Sequence, residues 1–206
     1  MAVSWRGFYA IVDPDVCAAG PLEVADALLR GGCAVLQLRY KGRDDRACLE
    51  LARALVHRCR AVGVPFVMND RFDLALLAEA DGLHLGQEDL PIEEARRFFR
   101  GPIGVSTHDL GQLRTALAAG ADLVGFGPVF ATTTKANPDP VVGLEGLREA
   151  CTLANVPVVA IGGLDVARAR ACREVGASLV AAIGATCGAK DPEAAARAFH
   201  TEGGAS

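Results

Sequence analysis

The sequence predicts an α/β fold, a (β/α)8 TIM barrel that forms a single domain over residues 1–206. Three observations lead to this prediction. A short apolar run, a polar or glycine-containing turn and an amphipathic segment follow one another eight times along the chain. The apolar runs are nearly continuous, as in parallel strands that are buried on both faces. No linker or low-complexity tract interrupts the series, and residues 203–206 are expected to form a frayed tail.

A doubly wound open sheet is the alternative arrangement. That fold normally has fewer strands and a glycine-rich turn directly after the first strand. Here the first predicted strand runs into Asp13-Pro14-Asp15, which contains no glycine. Eight uninterrupted strand–helix units therefore favour the closed barrel.

The elements follow one another in strand–helix pairs. Each strand is predicted from an apolar run that ends in polar residues or glycine. In chain order the strands are Phe8–Asp13, Ala34–Arg39, Pro65–Met68, Gly82–Leu85, Ile103–Ser106, Leu123–Gly127, Val158–Ile161 and Leu179–Ile183. Each helix is predicted from the amphipathic segment that comes next. In the same order the helices are Pro21–Arg30, Asp44–Ala61, Asp73–Ala80, Ile92–Phe99, Leu110–Ala119, Leu144–Leu153, Val166–Glu174 and Pro192–His200.

Proline, glycine and helical spacing support these boundaries. Pro21 and Pro192 suit the first turn of a helix, where a missing N–H breaks no hydrogen bond. Gly63 follows the second helix, as a residue that ends a helix in the left-handed conformation does. Leu51, Leu55, Cys59 and Val62 recur at helical spacing along that helix and predict its apolar face.

Composition narrows the classes of function. The net charge is −4, which argues against binding to nucleic acid or to an anionic membrane surface. The N-terminus has no apolar signal core and no stretch is long and apolar enough to span a bilayer, so we expect a cytoplasmic protein. The cysteine count is odd, seven, and no CxxC pair occurs, which favours thiols used as small core side chains in a reducing compartment.

Aspartates follow two neighbouring predicted strands. Asp70 comes just after the third strand, and Asp89 follows the fourth. Because parallel strands end at the same edge of a sheet, the two carboxylates can hold one Mg²⁺, which takes its other ligands from water and phosphate. The alternative is that each aspartate caps the next helix. The pair favours a metal-dependent phosphate or diphosphate site.

The second strand ends in cations. Alternation along the strand points Gln37, Arg39 and Lys41 toward the interior and mouth of the barrel. An arginine fork and a lysine point charge together suit a diphosphate, although a solvated basic strand end is the simpler interpretation of this segment alone. Because Asn69-Asp70 ends the next strand, a diphosphate site is favoured over a solvated strand end.

The later strands indicate a second anion site. Thr132-Thr133-Thr134 precedes Lys135, one of only three lysines in the chain, in a loop after the sixth strand. Glycines follow strands seven and eight, at Gly162-Gly163 and Gly184, where many barrels bind phosphate through backbone N–H groups. His108, after the fifth strand, is either an acid–base group or a residue near a helix cap.

Six motifs resemble those of the thiamine phosphate synthase family, in the family's order and over nearly the whole chain. They are Gln-Leu-Arg-Tyr-Lys at 37–41, Asn-Asp-Arg at 69–71, Gly-Leu-His-Leu-Gly-Gln-Glu-Asp at 82–89, Gly-Val-Ser-Thr-His at 104–108, Gly-Phe-Gly-Pro-Val-Phe-Ala-Thr-Thr-Thr-Lys at 125–135 and Ala-Ile-Gly-Gly at 160–163. The string at 82–89 and the Thr-x-Thr-Lys are specific to the family, whereas Ile-Gly-Gly is common to many barrels.

The resemblance implies an enzyme of thiamine biosynthesis that joins 4-amino-2-methyl-5-hydroxymethylpyrimidine diphosphate to a (carboxy)thiazole phosphate and releases diphosphate. It implies that the pyrimidine diphosphate is bound by Gln37, Leu38, Arg39, Tyr40, Lys41, Asn69, Ser106 and Lys135. The catalytic cations among these are Arg39, Lys41 and Lys135. The thiazole phosphate would lie on Thr132, Thr133, Thr134, Gly163, Ile183 and Gly184, and Mg²⁺ on Asp70 and Asp89. The partners are small molecules, not nucleic acid or membrane, and a homo-oligomer is left open.

One departure and two rival functions accompany the resemblance. The family usually has a hydroxyl residue, typically Ser, where this chain has Gly184, so binding of the thiazole phosphate is expected to weaken if that hydroxyl matters. The rivals are a thiazole tautomerase, with His108 as its acid–base group, and a non-catalytic barrel that binds a phosphorylated ligand. For the synthase we expect dissociative loss of diphosphate, and that Arg39→Ala or Asp70→Ala lowers turnover while the fold stays intact.

Overall fold

The computed structural model describes residues 3–132 and 139–201 and has the form of a closed barrel. All eight strands are parallel, and each is hydrogen-bonded to its neighbours in chain order. The first strand pairs with the eighth, which closes the sheet. The predicted fold class is therefore confirmed, and the doubly wound open sheet is wrong.

Eight helices alternate with the eight strands. The strands are β1 (Gly7–Val12), β2 (Val35–Leu38), β3 (Phe66–Asn69), β4 (Gly82–Leu85), β5 (Ile103–Thr107), β6 (Leu123–Phe126), β7 (Val158–Ile161) and β8 (Leu179–Ala182). The helices are α1 (Pro21–Arg30), α2 (Asp45–Val62), α3 (Phe72–Leu77), α4 (Ile92–Arg96), α5 (Leu110–Ala118), α6 (Gly143–Leu153), α7 (Val166–Glu174) and α8 (Pro192–Thr201).

The predicted boundaries agree with these to within one residue at each end, except at the ends of α3 and α4. The sequence places those ends at Ala80 and Phe99, three residues too late. Helix α3 ends early because Glu79 has a left-handed φ of 55°, and the N–H of Ala80 turns back to the carbonyl of Ala75. After α4 the chain tightens, since Phe98 donates to a carbonyl only three residues earlier.

Two apolar layers pack against the sheet. The inner layer fills the barrel and consists of Tyr9, Ile11, Val35, Val67, Leu123, Val159, Leu179 and Ala181. The outer layer joins the other strand side chains to the helices; in it the rings of Phe8 and Phe199 lie 5.0 Å apart. Because both faces of every strand are buried, the strands read as continuous apolar runs rather than as alternations.

Helix ends are satisfied by local contacts that the sequence partly predicts. The carboxylate of Asp44 accepts a hydrogen bond from the N–H of Ala47 and caps α2. Gly63 ends the same helix with a φ of 72°, as predicted. Within the described ranges, no helix is both long and apolar enough to cross a bilayer.

Two residues of α2 give a matched test of the outer layer. Leu55 is fully buried, so we expect Leu55→Ala to lower the free energy of unfolding by about 2–5 kcal/mol through lost burial and a residual cavity. Val62, the last residue of the helix, is 59% exposed, so its predicted place on the apolar face is wrong. Val62→Ala should change the free energy of unfolding by no more than about 0.5 kcal/mol. Urea unfolding followed by circular dichroism measures both. Equal losses in the two variants would contradict the assigned helix face.

Candidate active site at the barrel mouth

Three buried polar side chains are joined by hydrogen bonds at the bottom of the mouth. The hydroxyl of Tyr9 donates to Oε1 of Gln37 at 2.8 Å, and Nε2 of Gln37 donates to Oδ1 of Asn69 at 3.2 Å. Burial raises the pKa of Tyr9, so its hydroxyl stays protonated and remains a donor. This chain fixes the orientation of both amides. It brings together the predicted residues Gln37 and Asn69, which follow one another in space on β2 and β3.

A buried ion pair positions Arg39. Its guanidinium contacts the carboxylate of Asp13, the residue directly after β1. Asp13 is fully buried, and its other carboxylate oxygen accepts a hydrogen bond from the N–H of Asp15 at 3.1 Å. A buried carboxylate is costly without a partner, so Asp13 holds the guanidinium in place. The side chain of Arg39 remains 21% exposed at the rim of the mouth.

Lys41 and Asp70 form a second ion pair beside the first. Nζ of Lys41 lies 2.5 Å from Oδ2 of Asp70. Asp70 has a left-handed φ of 62°, which is uncommon for a residue with a side chain. Its N–H donates to the carbonyl of His84 at 2.8 Å, which extends the β3–β4 pairing past the end of β3. The backbone therefore turns at Asp70 while its carboxylate stays at the mouth.

Asp89 joins this group from the loop after β4. Its Oδ2 accepts a hydrogen bond from the N–H of Gly86 at 2.6 Å. Burial raises the pKa of Asp89, and the carboxylate of Asp70 adds to the increase, while Gly86 and Lys41 act in the opposite direction. The contribution of Asp70 comes from a side-chain hydrogen bond and from repulsion between the two negative charges. A cation between them would relieve this repulsion.

The two carboxylates fit Mg²⁺ better than they fit helix caps. The residue that caps α3 is Arg71 and the residue that caps α4 is Pro91, so the helix-cap alternative for Asp70 and Asp89 is wrong. In the described part of the chain no group of three or more His, Cys, Asp or Glu side chains forms a metal cluster. Two carboxylates, water and a substrate phosphate are a sufficient ligand set for Mg²⁺.

Ser106 is held by two neighbours from β4 and the loop after it. Nε2 of His84 lies 2.8 Å from the Ser106 hydroxyl, and Nε2 of Gln87 donates to the Ser106 carbonyl at 2.6 Å. His84 thus supports a predicted site residue. These contacts fix Ser106 next to the Asp70–Asp89 side of the mouth, since β4 and β5 pair directly.

His108 is engaged at both ring nitrogens. Nδ1 lies 2.5 Å from the carbonyl of Gly127, and Nε2 lies 3.3 Å from the carboxylate of Asp139. The next residue, Asp109, caps α5 by accepting a hydrogen bond from Gln112. The contacts favour the structural interpretation of His108 over an acid–base role.

Glycines after β7 make a close contact with the loop after β6. Gly162 and Gly163 have φ values of 101° and 64°. A Cβ atom at Gly162 would lie 2.5 Å from Cα of Pro128, and one at Gly163 would lie 2.3 Å from the carbonyl oxygen of Ala131. Only glycine fits either position. Arg168 donates to the Gly163 carbonyl at 2.7 Å and holds the turn from the α7 side.

The turn after β8 presents Gly184 at the same side of the mouth. The N–H groups of Thr186 and Cys187 donate to the carbonyl of Ile183 at 3.1 and 2.8 Å, which tightens the turn. A Cβ atom at Gly184 would meet nothing within 4 Å. Across residues 3–132 and 139–201, neither the N–H of Gly163 nor that of Gly184 has an acceptor. Both amides therefore remain able to bind an anion.

The remaining predicted residues are placed less directly. Leu38 is fully buried and packs in the outer layer, so only its backbone faces the mouth. Tyr40 is partly buried, and its ring packs over Gly42, where a Cβ atom would lie only 2.6 Å from the ring. Thr132 is the last residue described before the gap at 133–138. Thr133, Thr134 and Lys135 lie outside the described residues.

Comparison with known proteins gives the family. The sequence model of the thiamine monophosphate synthase family matches residues 8–186. The chain belongs to this family. It is 43% identical over 196 residues to a thiamine-phosphate synthase of Roseiflexus sp. (strain RS-1), covering 93% of this chain and 83% of the relative. It is 42% identical over 197 residues to that of Laribacter hongkongensis (strain HLHK9), covering 93% and 92%.

A solved structure agrees with the sequence comparison. A thiamine phosphate pyrophosphorylase from Pyrococcus furiosus superposes with a TM-score of 0.89 at 34% identity, over 96% of this chain and 95% of that one. The resemblance drawn from the motifs is confirmed. Membership in the thiamine monophosphate synthase family makes the chain an enzyme of thiamine biosynthesis, a transferase, as predicted.

Two residues of this family member's mouth carry contacts that the sequence does not reveal. Asp13 pairs with Arg39, and Tyr9 orients Gln37. A signal for Asp13 exists, because it ends the first strand at the edge where the other site residues lie. Tyr9 has no such signal, since an aromatic residue within an apolar strand is typical of a core.

The Asp13–Arg39 pair changes the expectation for Arg39→Ala. Truncation of Arg39 would leave the buried carboxylate of Asp13 without its cation, so we expect a loss of at least about 2 kcal/mol in the free energy of unfolding. Adding Asp13→Asn should recover much of the loss, because a neutral amide needs no counter-charge. Urea unfolding of the single and double variants measures this. A single variant as stable as the parent would contradict the pairing.

Proposed function

We propose that this family member condenses 4-amino-2-methyl-5-hydroxymethylpyrimidine diphosphate with a thiazole phosphate, giving thiamine phosphate and diphosphate with the help of Mg²⁺. The observation that supports the proposal is that two separate groups of residues at the mouth suit anions. Arg39, Lys41, Asp70 and Asp89 lie on one side, and the Gly163 and Gly184 amides lie on the other. A diphosphate donor and a phosphorylated acceptor would fill the two sides.

The cations on the donor side are already oriented before substrate arrives. Asp13 holds the guanidinium of Arg39, and Asp70 holds the ammonium of Lys41. A diphosphate that enters can bind the exposed part of Arg39 and compete with Asp70 for Lys41. Preorganised charge of this kind stabilises the negative charge that develops on a leaving group without costly reorientation of side chains.

Asp70 and Asp89 are the residues that would hold Mg²⁺. Their carboxylates come from adjacent strands and lie close together in a partly buried setting. Mg²⁺ held there would supply positive charge that stabilises the leaving diphosphate. If Asp70 held the metal, the ammonium of Lys41 would be able to bind the diphosphate instead.

The pyrimidine would lie over the Gln37–Asn69 pair, next to Ser106. These side chains are fixed by Tyr9 and His84 rather than by substrate, so they can select the orientation of the ring. In the proposed reaction the bond from the methylene carbon to the diphosphate oxygen breaks, and its electron pair leaves with the diphosphate. The thiazole nitrogen then donates its lone pair to the same carbon. That nitrogen carries no proton, so the step needs no general base.

The acceptor side would bind the thiazole phosphate through backbone amides. Gly163 and Gly184 permit close approach because neither has a side chain in the way. Thr132 leads into the threonine and lysine segment that the family resemblance assigns to the same substrates. The tautomerase alternative is weaker here, because both nitrogens of His108 are engaged by Gly127 and Asp139.

The decisive experiment measures release of diphosphate. We expect release only when the pyrimidine diphosphate and the thiazole phosphate are both present with Mg²⁺, and we expect excess EDTA to abolish it. Isomerisation of the thiazole phosphate without diphosphate release would identify a tautomerase. Tight binding of one phosphorylated ligand with no turnover would identify a non-catalytic barrel.

Replacing one carboxylate at a time by an amide tests the residues assigned to Mg²⁺. Asp70→Asn and Asp89→Asn should each lower kcat/KM by roughly 100-fold or more at a fixed Mg²⁺ concentration, because the donor diphosphate loses a metal-held contact. Glu88→Gln is the matched control, since Glu88 is an exposed carboxylate adjacent to Asp89. Its kcat/KM should stay within about twofold of the parent. If all three substitutions lowered kcat/KM equally, the cause would be the loss of a negative charge near the mouth and not the loss of a metal ligand.

Gly184 allows a direct test of the missing hydroxyl. There is open space at its Cβ position, so Gly184→Ser fits without a clash. We expect the new hydroxyl to lower KM for the thiazole phosphate by about tenfold, the worth of one hydrogen bond to a charged group. Gly184→Ala fills the same space without a donor and should give no such gain. Identical KM values for the Ser and Ala variants would mean that the backbone amide alone makes the contact.

A further inference from the structure

Two cysteines meet where the barrel closes. Cys17 lies in the loop after β1 and Cys187 in the turn after β8, and their Sγ atoms are 3.0 Å apart although they are separated by 170 positions in the sequence. All seven cysteines are thiols in this structure. Cys187 is fully buried, whereas Cys17 is partly exposed to solvent. The pair thus combines a buried thiol with one that solvent can reach.

The backbone holds both thiols in position. The N–H of Cys17 donates to the carbonyl of Asp13 at 3.0 Å, and that of Cys187 donates to the carbonyl of Ile183 at 2.8 Å. A third hydrogen bond, from the N–H of Ala18 to the carbonyl of Cys187 at 3.2 Å, ties the two loops directly to each other. The sulfur atoms need to approach by about 1 Å to reach the length of a disulfide bond. Small side-chain rotations on this fixed backbone can supply that movement.

We propose that Cys17 and Cys187 are a reversible redox site, whose thiols are joined by a disulfide when the protein meets a peroxide. The disulfide would fasten β1 to β8 at the carboxyl end of the barrel seam. It would lie next to Asp13, whose N–H and carbonyl both contact Sγ of Cys187 at 3.5 Å. The site is therefore adjacent to the Asp13–Arg39 pair and does not include it.

The proposed chemistry needs two steps and one peroxide. Sulfur of Cys17 first attacks hydrogen peroxide, breaking its O–O bond and giving a sulfenic acid and water. Sulfur of Cys187 then attacks the sulfur of that sulfenic acid, so that the S–S bond forms and the S–O bond breaks. The departing hydroxide takes the thiol proton of Cys187 and leaves as a second water. The two thiols lose two hydrogens in total, and the peroxide is reduced to two waters.

The contact between the two sulfurs favours the second step and slows the first. The hydrogen bond between the two thiols lowers the pKa of Cys187, which makes Cys187 the better attacking group in the second step. The same contact raises the pKa of Cys17, and burial adds to the increase. The first step should therefore be slow, and the disulfide should accumulate over a long exposure to peroxide rather than in a burst.

A disulfide at this position should stabilise the fold. It would close a loop that contains most of the chain, and a cross-link over a long loop removes much of the conformational freedom of the unfolded state. We expect Tm to rise by roughly 5 °C or more on oxidation. The measurement needs no substrate, so failure of the redox site and failure of the proposed reaction are distinguishable.

The test uses the full chain, reduced, then incubated with hydrogen peroxide, alkylated and digested with trypsin. Cys17 and Cys187 fall in separate tryptic peptides, 7–30 and 174–190, and neither peptide contains another cysteine. We expect monomeric protein to give one species in which these two peptides are cross-linked, together with the rise in Tm. Dithiothreitol should abolish the cross-linked species. Cys17→Ser should remove both effects, and because its side chain is partly exposed the variant should fold normally. Cys151→Ser, at another partly exposed cysteine, should leave both effects unchanged.

Three outcomes would overturn the proposal. One is that the two peptides remain separate while Cys17 carries a sulfinic or sulfonic acid. A second is that Cys17→Ser shows the same rise in Tm on oxidation as the parent. A third is that the cross-link is found only between two copies of the chain.

Discussion

The pairing of β1 with β8 is the constraint on which the rest of the molecule depends. It joins the two ends of the chain from Gly7 with Leu179 to Ala10 with Ala182 and leaves the sheet without an edge. Once the sheet is closed, all eight carboxyl ends face one side. Asp13, Arg39 and Ile183 are distant in sequence, yet they line the same mouth. The site is thus a consequence of closure, because its members follow several different strands that end at one face.

The charges at this mouth are arranged in pairs with different amounts of burial. Asp13 is fully buried, so its pair with Arg39 is a fixed part of the fold. Lys41 and Asp70 are more exposed, with 46% and 21% of their side chains accessible. An exposed pair is worth little to stability and is easily exchanged for another partner. The first pair therefore acts as structure, and the second is suited to being replaced by ligands.

The sequence predicts the barrel well because burial on both faces leaves continuous apolar runs that end close to the true strand ends. The sequence-based prediction places the end of α3 too late, because the left-handed Glu79 ends the helix and no glycine marks the position. At the site, Arg39 is predicted from the cations at the end of β2 together with Asn69-Asp70 on the next strand, and Asp70 from its pairing with Asp89. Asp13 is not, because an aspartate before proline is typical of a turn, and its burial depends on contacts with distant residues. That Asp70 does not cap α3 is likewise apparent only from the structure, in which Arg71 precedes the helix.

The contacts of the two histidines at the mouth bear on the kind of chemistry this site suits. His84 is hydrogen-bonded to Ser106, and His108 contacts Gly127 and Asp139, so both rings serve to position their neighbours. What the mouth offers instead is fixed positive charge and backbone amides. A reaction whose difficult step is the departure of an anion draws on these groups, whereas an isomerisation requires a proton to be taken and returned. The proposed synthase reaction is of the first kind, so the charge pairs, rather than the histidines, are the observations that support it.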